Sequence, residues 1–154
     1  TPTPSSAASD VYKRQGLTMG AAFSVLDSEV TDTKTPSTDV VEGMELAYAP
    51  KFQGNVWVRY EWAMANGWMG HVMPSISHSA KSYSDIITIN RMDVPNWTMV
   101  NFSAGIASED WMIEAFVTNL TDEQVVTGAN YVNDRERLAL APPTTLGVRV
   151  SFDF

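Results

Sequence analysis

The 154-residue sequence has no cysteine, so it can hold neither a disulfide framework nor a thiolate metal site. Histidine is almost as scarce: His71 and His78 are the only two. Seven residues apart on one strand they point to opposite faces, which excludes a shared metal without a bulge. Cations are few. Against 18 Asp and Glu stand 10 Lys and Arg, a net charge of −8, and the basic stripe that nucleic acid requires is missing. No apolar run approaches the ~18 residues of a membrane helix. The polar N-terminus lacks the apolar segment of a signal peptide. Neither a Gly-rich phosphate loop nor a nucleophile elbow is present. Ser75, Ser77 and His78 are the one close serine–histidine grouping, and it has no triad logic. The acidic stretch 27–45 lacks the spacing and glycine of a calcium loop and reads as a solvated loop. These absences predict no enzyme, no cofactor and no metal.

What is present is alternation. In residues 144–154, Leu146, Val148, Val150, Phe152 and Phe154 alternate with Thr145, Gly147, Arg149, Ser151 and Asp153. One face of such a strand is wholly apolar and the other polar or small. The same period of two recurs at 16–27, 52–64, 98–107 and 111–119, and less regularly at 68–82, where Pro74 lacks an N–H. Six strands therefore form three hairpins. Residues 65–67, Ala-Asn-Gly, and 108–110, Ser-Glu-Asp, are short turns, whereas 28–51, 83–97 and 120–143 read as long loops.

Membrane barrels sort their connections this way, with short turns at one rim and long loops at the other, and soluble sandwiches have no reason to. Average hydropathy stays near neutral because only every second residue meets lipid. The aromatics sort likewise. Trp62, Trp68, Trp111 and Phe154 fall beside the short turns or the terminus; Tyr48, Phe52, Tyr83 and Trp97 fall at the opposite ends. Two interfacial girdles account for that placement.

Residues 1–15 stand apart. Residues 5–15 resemble the in-frame translation of a sequencing-library adapter, so 1–15 is expected to be a non-native tail and 16–154 the protein segment.

From residue 16 to 154 the sequence resembles the C-terminal part of a TonB-dependent outer-membrane receptor barrel. Glu45-Leu-Ala-Tyr-Ala-Pro50, followed by Phe52-Gln-Gly-Asn-Val56, is similar to the family's "LPYAPEWSAN". Val117-Thr-Asn-Leu-Thr-Asp122 is similar to "V-x-NLTD", and residues 141–154 to the ending "APRTYGVRVSYDF". Pro143 departs from the usual Arg of that ending.

The resemblance implies an all-β, antiparallel up-and-down meander, an incomplete piece of a barrel of about 22 strands around a plug. Six strands fall short of the roughly eight that close the smallest barrels, so the segment alone is expected to be transport-incompetent. It implies a bacterial outer-membrane location, a lipid surround, TonB as partner through a plug outside this sequence, and energy-coupled uptake of a siderophore, haem, cobalamin or oligosaccharide. It implies that Val150, Phe152 and above all Phe154 form the signal read by the barrel assembly machinery. Asn55, Arg59, Glu61, Asn101, Glu114 and Arg149 are the expected lumen-facing residues, with their charges paired to one another or to the plug. A soluble antiparallel barrel or sandwich binding a small ligand is the alternative.

Overall fold

The computed structural model describes residues 12–14, 16–33, 39–64 and 67–153. The strands are β1 (Tyr12–Arg14), β2 (Leu17–Val25), β3 (Phe52–Ala63), β4 (Met69–Ser79), β5 (Ser82–Tyr83), β6 (Asp93–Val94), β7 (Trp97–Ala107), β8 (Trp111–Thr118), β9 (Val126–Val132), β10 (Arg135–Leu140) and β11 (Thr145–Phe152). One seven-stranded antiparallel sheet runs in the order β1-β2-β3-β4-β7-β8-β11. Its six long members are the six expected spans in an unbroken meander. The short β1 caps one edge, pairing Tyr12 with Met19 and Arg14 with Leu17. Phe154 and the Ala65-Asn66 half of the first short turn lie outside the described residues.

Register follows from the turns. Ser108 accepts the Trp111 N–H on Oγ at 3.1 Å and donates its own N–H to the Trp111 carbonyl at 2.7 Å. That fixes Ala107 opposite Met112, and every pair above it follows. Pro74 is accommodated inside β4: the β4–β7 ladder runs through it, while on the β3 side the pairing skips Val58 and Arg59. The missing N–H therefore falls in that gap.

Because the register is known, the two faces can be read across all strands. Leu17, Met19, Phe23, Val56, Val58, Tyr60, Trp62, Val72, Ile76, Val100, Phe102, Ile106, Trp111, Ile113, Val117, Leu146, Val148, Val150 and Phe152 share one face. The other carries Thr18, Asn55, Trp57, Arg59, Glu61, His71, Ser75, Asn101, Ser103, Glu114 and Arg149. Nothing among the described residues covers the apolar face. Val148 is 70 %, Val150 56 % and Phe152 48 % exposed. A soluble sandwich would bury them beneath a second layer.

The third long connection departs from expectation. Residues 120–143, read as a loop, contain the hairpin β9–β10, paired from Val132–Arg135 to Val126–Leu140 with a bulge at Ala139/Leu140. Its turn residues Asn133 and Asp134 have φ of 52° and 58°. This is the primed two-residue turn that Asn and Asp tolerate best. The second connection likewise holds the short β5–β6 pair and a 3-10 turn at Thr88–Asn90.

Candidate functional site

Two polar regions are built by the sheet. The first crosses its polar face. Register places Glu61 opposite His71, His71 opposite Gly105, Gly105 opposite Glu114, and Glu114 opposite Arg149. Gly105 has no side chain, so His71 reaches over it to Glu114, with His71 Nε2 3.0 Å from Glu114 Oε2. Arg149 donates to the other carboxylate oxygen at 2.7 Å. His71 is 2 % and Glu114 6 % exposed, so each supplies a partner that the other's burial requires. Beside them Arg59 Nε donates to Glu61 at 2.8 Å.

The six expected lumen-facing residues thus fall on one face. Four of them pair as Arg59–Glu61 and Arg149–Glu114. Asn55 Nδ2 donates to Ser77 Oγ at 2.8 Å, and Asn101 Oδ1 accepts the Asn119 N–H at 2.9 Å. Sequence reasoning missed His71 and Gly105 as members of this row. The signal was available, since counting back from the 108–110 turn sets Gly105 against Glu114. His78 lies on the opposite face, where Nδ1 meets Thr98 Oγ1 at 2.8 Å. It therefore joins neither His71 nor Ser75 and Ser77. No metal-binding cluster of three or more ligating side chains occurs among the described residues.

The second region is the layer of long loops at the opposite rim from the short turns. The first loop meets the second through Thr88, whose N–H and hydroxyl donate to the Asp39 carbonyl at 2.9 and 2.8 Å. It meets it again through Arg91, which donates to the Glu45 carbonyl at 3.3 Å and lies 3.7 Å over the Tyr83 ring. Lys51 pairs with Glu45 at 2.7 Å, and that hydrogen bond holds the Glu45 carboxyl below the ordinary carboxylate range. Tyr131 donates to Glu136 at 2.7 Å, which raises its hydroxyl above the ordinary phenol value. The third loop is anchored at its base by Asn119, 1 % exposed with φ of 52°. Its side chain accepts the Glu123 N–H at 2.8 Å and donates to the Glu123 and Pro142 carbonyls at 2.9 and 3.2 Å. Thr144 closes the base by donating to the Asn119 carbonyl at 2.7 Å.

Between the sheet rim and the third loop lies a cleft of about 230 Å³, lined by Tyr48, Pro50, Gln53, Ser79, Trp97 and Val125 among others. Of the expected girdle aromatics, Trp62 and Trp111 stand on the apolar face at the short-turn rim. Trp111 packs on Phe152 at 4.7 Å, and Trp62 on Tyr60 at 5.8 Å. Trp68 lies in the short connection before β4. Tyr48 and Tyr83 sit within the loop layer, and Trp97 falls on the polar face, lining the cleft. Phe52, also expected at the loop rim, does stand there on the apolar face, stacked on Phe23 at 6.1 Å.

A family model described as TonB dependent receptor-like, beta-barrel, matches residues 6–120. Among solved structures, the siderophore receptor PiuA from Acinetobacter baumannii is similar with a TM-score of 0.69 and 19 % identity. The match covers 90 % of this chain and 20 % of that one, so the chain spans about a fifth of its structural relative. No curated protein gives a significant match.

Proposed function

Because the chain belongs to the TonB-dependent receptor-like β-barrel family, whose members are outer-membrane receptors and transporters rather than enzymes, we propose that it is the C-terminal stretch of such a barrel wall. On this reading the apolar face meets lipid and the polar face meets the lumen. The observation that carries it is the uncovered apolar face beside a polar face whose charges are paired. An 11-residue strand such as β4 or β7 extends about 36 Å at ~3.3 Å per residue. Tilted by about 40°, it projects to about 28 Å, close to the ~30 Å hydrocarbon thickness.

The whole receptor would take up a scarce ligand, with TonB acting through a plug contributed by chain outside this sequence. Siderophore is the favoured class over haem, cobalamin or oligosaccharide, supported by the structural relative's description as a siderophore receptor. The three long loops and the cleft between them would contribute ligand contacts. Asn55, Arg59, Glu61, Asn101, Glu114 and Arg149 would form the wetted wall. Val150, Phe152 and Phe154 would be the strand read by the assembly machinery, and residues 1–15 a non-native leader. By itself the segment would not transport, because β11 and the opposite edge leave backbone groups that lipid cannot satisfy.

The test is accumulation of labelled ferric siderophores by cells expressing the intact receptor, with and without TonB. TonB-dependent accumulation supports the reading. Uptake that survives loss of TonB, or a segment that stays monomeric in buffer without detergent, overturns it.

A further inference from the structure

We propose that the β9–β10 hairpin is a hinged flap over the loop cleft and that the Tyr48 hydroxyl is its latch. Tyr48 joins all three long loops. It stands in the first, its N–H donates to the Tyr83 carbonyl of the second at 2.7 Å, and its hydroxyl engages Ala129 of the third. That last contact is double. The hydroxyl donates to the Ala129 carbonyl at 2.7 Å and accepts the Ala129 N–H at 2.9 Å. In an antiparallel hairpin the N–H and C=O of one residue point to the same side. Ala129 therefore offers Tyr48 both groups on the edge that β10 leaves unpaired.

Tyr48 also has φ of 51°, a left-handed conformation that a bulky residue adopts only when its surroundings over-determine it. The bonds at its two ends supply that constraint. The hairpin is otherwise built to move as a unit. Its six register pairs and two-residue turn are internal, and β10 is exposed along its whole length. Ala129 is its one buried apolar residue, and its base is held by Asn119 and Thr144.

With the latch made, the cleft offers about 230 Å³ and is open on one side. A ligand pocket ordinarily provides roughly 300–1,000 Å³. Tyr48 is a shared wall of this cleft and of a second one, about 250 Å³, lined by the hairpin, so releasing the latch would join the two into a space of ligand size. The purpose of the flap rests on the loop rim being where ligand arrives; the latch itself does not.

The test is amide hydrogen exchange in the receptor carrying this segment, wild type against Tyr48→Phe, which removes one oxygen and keeps the ring. The Ala129 amide should exchange about tenfold faster in the variant. Gly128 and Asn130, which alternate toward β10, should change by less than about twofold. An unchanged Ala129 overturns the latch. Equal acceleration of all three means that the hairpin melts rather than swings, and overturns the flap. Fraying is controlled by Gly128→Cys with Ala139→Cys: a Cβ on Gly128 would lie 3.6 Å from that of Ala139, within reach of a disulfide. In this stapled background the Ala129 acceleration must persist, and its loss overturns the proposal.

Discussion

Replacing Gly105 with alanine tests whether the polar row across the sheet is held by side-chain geometry. The added Cβ would lie 2.6 Å from His71 Cε1, 2.6 Å from the Ile113 carbonyl oxygen and 3.0 Å from Glu114 Cα. The imidazole can swing away, but only by giving up Glu114. A hydrogen bond to a charged partner is worth about 1.5–3 kcal/mol. The two backbone contacts cannot swing, and overpacking of this kind costs about 1–3 kcal/mol. Restricting the unfolded chain returns about 0.4–1 kcal/mol. The net expectation is a loss of about 2–5 kcal/mol in urea unfolding of the receptor in lipid vesicles, followed by tryptophan fluorescence. The same substitution in a His71→Ala background should cost at least ~1.5 kcal/mol less, because the hydrogen bond is already gone. Equal costs in both backgrounds would show that His71 is a bystander and Gly105 matters through its backbone alone.

Val148→Arg puts a charge in the middle of the apolar face and should destabilise the inserted barrel by about 2–4 kcal/mol; a cost below ~0.5 kcal/mol would place that face in water. Asn119→Ala deletes three side-chain hydrogen bonds at a 1 %-exposed position with φ of 52°. It should cost about 3 kcal/mol and free the base of the third loop, read as faster exchange at Glu123; unchanged exchange there refutes the anchor. The Glu45–Lys51 tie is pH-dependent through a depressed carboxyl. Its contribution is present above the unfolded carboxylate value and is lost as pH falls through the lower folded value. Protection of the Tyr48 amide, which donates to the Tyr83 carbonyl, should therefore hold from pH 8 to about 5 and decline only in stronger acid; a decline beginning near neutrality contradicts this sign.

The six spans were legible because each prints its own period, and the Ser108-Glu109-Asp110 turn carried enough register to align β7 with β8. Even the irregular span survives as β4, since Pro74 needs only one unpaired side. The β9–β10 hairpin was not found. Its strands carry Thr127, Gly128, Asn130, Arg135 and Arg137, and with one strand exposed throughout they show no apolar face to count. Its Asn133-Asp134 turn was the available sign. Parity put the polar residues together on one face, but parity does not say who touches whom. His71 and Glu114 sit on non-adjacent strands and meet only because the residue between them is glycine. Tyr48 was sorted by chain position with the girdle aromatics, yet its hydroxyl is used inside the loop layer.

Among the described residues the buried apolar side chains, Val94, Val125 and Ala129, all lie above the rim, none in the seven-stranded sheet. The wall has no interior in which to bury its apolar face, whereas the crown buries a few apolar side chains of its own. Insertions and recombination in the crown can therefore be absorbed without disturbing the wall, and the top can be reshaped while the staves beneath stay the same.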